Sequence, residues 1–259
     1  MITTNLKNEM MGNTPDACRK ITQELGSFQV LEHLKDVSVT YGGAASAYFA
    51  SEMNVHKRQV IYNLDGSNGV ILQAGAMQMM LGNITAATDV SGVGDLAKKM
   101  FASKATGESA IKPKYTGAGV LVLEPTYKHI ALIDVTAWGP AGMVIDDGAF
   151  LACDANLKLS VAARQNISSA LAGGEGLFNT CITGNGVAAL ELDTDLSELV
   201  EIVLDNDVVK IDGNMAVAWS GSLQFTTERT TKSLIGSAAS GEGLVNVYRG
   251  TGKILVAVV

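Results

Sequence analysis

Short runs of β-branched and aliphatic residues, each closed by turn-forming residues, recur along most of the chain. One set comprises Val60-Ile61-Tyr62, Ile130-Ala131-Leu132-Ile133 and Val200-Glu201-Ile202-Val203-Leu204. Runs of this length and composition predict strands. A second strand is expected after each, over Val70–Leu72, Met143–Ile145 and Val208–Ile211, and each leads to a glycine: Gly75, Gly148 or Gly213. Glycine at such a point permits a bulge or a positive-φ corner before the chain re-enters the sheet. Farther on, Gly117-Ala118-Gly119, Gly184-Asn185-Gly186 and Gly250-Thr251-Gly252 open apolar runs at Val120–Leu123, Val187–Leu190 and Ile254–Val258. In the second copy, Leu177–Ile182, Thr183–Gly186 and Val187–Leu190 read as a β-hairpin whose turn glycines supply positive φ; the third repeats it from Leu244 to Val258. Pro113 falls inside the corresponding strand of the first copy, which puts that strand at an edge or a bulge.

The same order of features defines a longer period. Gly107-Glu108-Ser109, Gly174-Glu175-Gly176 and Gly241-Glu242-Gly243 stand 67 residues apart in both intervals, and Met100, Ile167 or Leu234 precedes each Glu by eight residues. Several columns in constant order point to an internal repeat, placed at residues 57–124, 125–192 and 193–259. The stretches Leu96–Ala102, Gln165–Leu171 and Thr231–Ala238 predict one or two helical turns, too short for independent helices. Residues 1–56 are an N-terminal extension. Its polar start, with Pro15-Asp16, predicts a short helix through Leu25; the apolar stretches from Phe28 to Phe49 around Gly42-Gly43 predict a peripheral strand pair. A single repeat would leave one sheet face bare. The expected fold is therefore all-β: three repeated β-sandwich or double-stranded β-helix-like units, packed with pseudo-threefold symmetry.

Composition narrows the function. A chain of 259 residues with 47% hydrophobic content can bury a sizeable core. The formal charge of −7 and pI near 5.0 argue against general affinity for nucleic-acid backbones, which draws on Lys and Arg displacing counterions. Lys98, Lys99, Lys104, Lys112 and Lys114 form the notable basic concentration and read as a solvated face. Cys18, Cys153 and Cys181 are odd in number and widely spaced, which fits a reducing compartment. No apolar run reaches the roughly 18 to 20 residues that span a bilayer, and no signal-peptide pattern opens the chain. The expectation is a cytoplasmic protein without an integral membrane segment, for which attachment to a peripheral membrane assembly stays open.

Catalytic signatures are sparse. His33, His56 and His129 are the three histidines, two of them outside the repeats, so a cupin-type metal site is not expected. The glycine-rich turns match neither a P-loop nor a dinucleotide fingerprint. Gly221-Ser222 and Ser237–Ser240 lack the nucleophile-elbow pattern, and the cysteines lack a cue for a lowered pKa. No catalytic residue, metal or cofactor is assigned. Glu108, Glu175 and Glu242 remain as candidate positions, because threefold repetition would bring three carboxylates toward one axis, where a hard cation such as Ca²⁺ binds. The plainer reading has each accept backbone N–H bonds at its glycine-rich turn. Met77, Met79 and Met80 read as core and rim residues of a strand rather than an adaptable binding surface.

Gly174-Glu175-Gly176-Leu177-Phe178 followed by Thr183-Gly184-Asn185-Gly186, with Gly75-Ala76-Met77 upstream, resembles the altered-inheritance-of-mitochondria biogenesis family over roughly residues 57–259. The resemblance implies three β-sandwich units similar to subunits of the tryptophan RNA-binding attenuation protein, packed as a pseudo-threefold. It brings no catalytic constellation, and it links mitochondrial members to inner-membrane organisation. The expected function is that of a non-enzymatic scaffold or interaction protein that binds a protein partner or itself. The alternative is a small-ligand or metal-binding β-barrel module with possible enzymatic activity, which requires a pocket of convergent charged side chains. RNA binding is not expected, since no Lys, Arg or aromatic recurs at one position in all three copies.

Overall fold

In a computed structural model of the chain, the structure describes residues 18–88, 112–163, 178–229 and 244–258. The fold is nearly all β. The strands are β1 (Arg19–Leu25), β2 (Phe28–His33), β3 (Lys57–Leu72), β4 (Met77–Ala87), β5 (Lys114–Leu123), β6 (His129–Asp134), β7 (Met143–Ile145), β8 (Phe150–Asp154), β9 (Lys158–Ala163), β10 (Phe178–Thr183), β11 (Val187–Leu192), β12 (Leu199–Asp212), β13 (Ala216–Ser220), β14 (Gln224–Arg229) and β15 (Leu244–Ala257). The one α-helix among the described residues is α1 (Ala44–Glu52).

Two curled antiparallel sheets hold these strands. The first runs β1-β2-β3-β8-β11-β6, with β5 on β3 and β4 on β5; the second runs β12-β15-β13-β7-β10-β9, with β14 on β15. The middle third of the chain is thus divided between both. Three large apolar clusters follow the division, and a small fourth, Leu31, Ile61 and Val122, lies in the first sheet. Phe28, Val60, Tyr62, Leu121 and Leu123 fill the first large cluster, with Phe28 edge-on to Tyr62 at 4.6 Å. Trp138, Met143, Phe150, Ile182 and Leu190 join strands of both sheets in the second. Trp219, Phe225 and Tyr248 pack ring on ring in the third. The buried Tyr62 hydroxyl donates to Asp154 Oδ1 at 2.8 Å and Gly69 O at 2.9 Å; burial and the adjacent carboxylate hold it well above the usual phenol range.

The strand runs expected at residues 60–62, 130–133 and 200–204, and at 70–72, 143–145 and 208–211, all lie in strands. The expected hairpin is a different object. β10 pairs with β7 and β9 in one sheet, whereas β11 pairs with β6 and β8 in the other. In the first and third stretches the same sequence is one continuous strand, β5 or β15. The glycines therefore form a corner: between β10 and β11 the chain passes there from one sheet to the other, along β15 the partner changes from β14 to β13, and β5 keeps β3 and β4 on both sides. Gly117 shows why the residue must be small: φ is +121°, and a Cβ would sit 2.1 Å from Asn83 O. Pro113 stands just before β5, where its carbonyl accepts from Leu72 N–H at 3.0 Å.

The extension also differs. Arg19–Leu25, expected to be helical, is the strand β1: Ile21 packs with Leu31 and Ile61 on one face, and past a bulge at Thr22 Leu25 packs on the other, while Gln23 bonds both Ile130 O and Leu132 N. Of the peripheral strand pair expected over residues 28–49, only β2 is strand, and its partners are β1 and β3. Residues 41–52 are helical instead, through a 3₁₀ turn at Tyr41–Gly43 into α1. The Ala-rich sequence AASAYFASE favours helix locally.

Some pairings recur. A bulge interrupts the register at Met77/Met79 on β5, between Phe150 and Ala152 on β11, and at Ala216/Ala218 on β15. Each lies at the same distance from a Gly-x-Gly corner: Met79, Ala152 and Ala218 pair with the residue three beyond the second glycine.

Candidate functional site

Glu108, Glu175 and Glu242 lie outside the described residues, as do Lys98, Lys99 and Lys104, the three predicted helical turns and Ser237–Ser240. Lys112 donates to Gln73 Oε1 at 2.9 Å and covers the Phe150 ring. Ser222 is tied to Thr251 O at 2.9 Å. Burial pushes the Cys153 thiol up to about 12 and raises that of Cys181, the opposite of what a thiolate nucleophile needs.

What the structure does gather is the histidines. All three line a chain of adjoining cavities where α1 stands beside the end of β2 and the start of β3. The first cavity, of about 380 Å³, is lined by Cys18, Arg19, His33, Lys35, Lys57 and Gln59 among others. The second, of about 430 Å³, shares His33, Lys35 and Lys57 and adds His56, Ser51 and Tyr127. The third, of about 330 Å³, holds Tyr127, His129 and Asp195. Among the described residues no group of three His, Cys, Asp or Glu side chains is arranged to hold a metal ion.

Each histidine has its own partner. His56 sits between Glu32 Oε1, 2.5 Å from Nδ1, and Ser51 Oγ, 2.9 Å from Nε2. The order Ser–His–Glu has the outline of a nucleophile relay. Its chemistry is otherwise committed: Ser51 Oγ also lies 3.1 Å from Leu34 O as donor, and Glu32 is held by buried Arg58 at 3.3 Å. Arg58 in turn donates to Asn54 O and His56 O. This network ties α1 and its following turn to β2 and β3. His129 Nδ1 lies 3.0 Å from Asp195. The Asp195 carboxyl is held below the usual range, first by the Ser197 backbone N–H, then by the Ser197 hydroxyl, with His129 adding to it.

His33 is placed differently. Its Nε2 lies 2.6 Å from Gln59 Oε1, while Gln59 Nε2 donates to Gln78 Oε1 and Leu123 O. The amide thus uses its donors elsewhere and accepts from His33 Nε2–H, which leaves Nδ1 toward the cavity. In register, Arg19 faces His33 across β1 and β2, and His33 faces Lys57 across β2 and β3. Directly paired residues share a sheet face, so the three side chains form one lateral row.

Large apolar side chains also stand exposed around these cavities. No residue of α1 is buried, and Val37, Tyr41, Tyr48, Phe49, Met53 and Tyr127 are all more than half exposed. No helix among the described residues is long and apolar enough to cross a membrane.

Residues 52–258 match the family described as mitochondrial biogenesis AIM24. The chain belongs to the AIM24 family. An uncharacterized protein of Streptococcus pyogenes serotype M6 is 33% identical over 202 residues, covering 75% of this chain and 78% of that one. A Streptococcus pyogenes protein solved by X-ray crystallography in a structural genomics programme is 25% identical, with a TM-score of 0.58 over 93% of this chain and 94% of the other. The AIM24 match begins at Glu52, inside α1, so β1, β2 and most of α1 lie ahead of it. The cavities therefore sit where the AIM24 region meets the extension.

Proposed function

We propose that this AIM24-family chain is a non-enzymatic, cytoplasmic interaction protein. Its three stretches are copies of one unit about a pseudo-threefold axis, and its free sheet edges join it to a second copy. One observation carries the reading. Two junctions between successive stretches have the same register: Val70, Ile71 and Leu72 face Asp154, Cys153 and Ala152, while Met143, Val144 and Ile145 face Ser220, Trp219 and Ala218. Counting from the glycine corners, the corresponding third junction joins Val209, Lys210 and Ile211 of β12 to Leu81, Met80 and Met79 of β4. Among the described residues β12 pairs only with β15 and β4 only with β5, so both halves of that junction are open, and Met80 and Val208 are more than 40% exposed. An open edge carries unpaired backbone donors and acceptors and templates further pairing.

Oxidation of the Met80→Cys, Lys210→Cys double variant tests this, with each single variant as control. The expected result is a disulfide between chains and a multimeric mass of the wild type by light scattering. A disulfide within one chain, on a monomer, would instead mean that the third junction closes on itself and that the edges are not an interface.

The second reading, a small-ligand module, is supported by the adjoining cavities and by the charged side chains that converge on one of them.

A further inference from the structure

We infer that the cavity bounded by Arg19, His33, Lys35 and Lys57 is a binding site for the anionic head of an amphiphile, a phosphate or carboxylate group with an apolar tail. This rests on the small-ligand reading and is independent of the sheet-edge contact.

Three observations combine. The first is the charge of the row. Arg19 and Lys57 are the direct cross-strand neighbours of His33 on either side, so the row holds two cations and no carboxylate. Lys35 joins the same cavity from the segment after β2, where its N–H bonds Cys18 O at 3.3 Å. Asp36 is the one acidic residue lining it; one oxygen lies 3.7 Å from Lys57, and the other accepts from Ser38 N–H. Neither Arg19 nor Lys35 has an ion-pair partner among the described residues. In a protein of net charge −7, three cations and a histidine around one carboxylate are a local reversal of sign.

The second observation is donor geometry. Gln59 fixes the His33 ring through Nε2, which leaves Nδ1 beside a guanidinium and two ammonium groups. This set gives an oxyanion several charge-assisted donors from different directions. The third is the neighbouring volume. The cavity continues, through the shared His33, Lys35, Val37 and Lys57, into the 430 Å³ space lined by Val39, Ala47, Tyr48 and Val55. An anion in the first space thus has an apolar wall for its tail in the second.

The test is calorimetric titration of the full chain with octyl phosphate below its micellar concentration, with inorganic phosphate and 1-octanol in parallel. Saturable binding of octyl phosphate is expected, at least about tenfold tighter than inorganic phosphate, with 1-octanol weaker still. Arg19→Gln and Lys57→Gln are each expected to weaken it about tenfold. Lys20→Gln, one residue away on the opposite face, is expected to leave it unchanged, which separates loss of the site from loss of fold. Flotation with vesicles containing phosphatidylglycerol assigns the source. Binding abolished by the same two substitutions marks a membrane headgroup; binding of the free probe alone marks a soluble amphiphile. No saturable binding of octyl phosphate, equal affinity for 1-octanol, or binding indifferent to both Arg19→Gln and Lys57→Gln would overturn the inference, whatever the outcome of the disulfide experiment.

Discussion

Two rows of side chains cross the same three strands one residue apart. Lys20, Glu32 and Arg58 face one another on one side of β1, β2 and β3, and Arg19, His33 and Lys57 do so on the other. The first row alternates in sign. Its side of the sheet carries Phe28, Val30, Val60 and Tyr62, and its inner members Glu32 and Arg58 are buried and paired. The second row sets a cation on either side of a histidine, with no carboxylate, and opens on a cavity. Strand residues point alternately to opposite faces, so a shift of one position decides whether a charge is absorbed into the structure or left for a ligand.

The largest expected effect breaks the balanced row. Glu32→Ala leaves Arg58 buried without its carboxylate and removes the partner of His56 Nδ1, and is expected to cost about 3 kcal/mol in urea unfolding. A loss below about 1 kcal/mol would show that water reaches this pair. Copying the balanced pattern onto the bare row is expected to act the other way. His33→Glu places a carboxylate between Arg19 and Lys57 and is expected to stabilise the ligand-free protein by about 0.5 to 1 kcal/mol while abolishing octyl phosphate binding. A variant that gained stability and kept the ligand would separate the two properties and argue against the site. A smaller effect comes from removing one charge. Arg19→Gln is expected to stabilise the ligand-free protein by a few tenths of a kcal/mol, most visibly at low salt, whereas Lys20→Gln lowers stability or leaves it unchanged.

The smallest effect concerns another pair at the same end, His129 with Asp195. The carboxyl is depressed in the folded protein, so its contribution is present above its unfolded value of about 3.9 and is lost as pH falls through the lower folded value. Asp195→Ala is therefore expected to lower stability at pH 7, with the gap to wild type narrowing below about pH 4. A gap independent of pH would show that the loss does not come from the charged Asp195 carboxylate.

How much of this could be read from the sequence depended on the range of the forces involved. Strands at residues 60–62, 130–133 and 200–204 were legible because β-branched runs between turn residues are a local signal. The corner at Gly184 and Gly186 was misread as a hairpin because positive φ is all that the local sequence specifies; which strands lie on either side is a property of the whole sheet. β1 was misread for a related reason. It has apolar residues only at Ile21 and Leu25, and the polar Gln23 between them is fixed by β6, more than 100 residues away. The cavity was invisible because its row exists only once three strands are in register. The basic residues that stood out in the sequence, Lys98 to Lys114, are adjacent in the chain, whereas Arg19, His33 and Lys57 are adjacent only in the sheet.

The division of the middle third between two sheets has a consequence during synthesis. The first sheet needs β11, so it cannot be completed until residue 192 has been made; the second begins with strands of the same stretch and waits for β15, the last element described. β6, whose strand partner is β11, must persist on the ribosome with exposed edges until that distant strand emerges, a topology that folds slowly and favours aggregation. Truncation anywhere within β15 should therefore remove the closing member of the second sheet and leave a chain for holding chaperones rather than a shorter working protein.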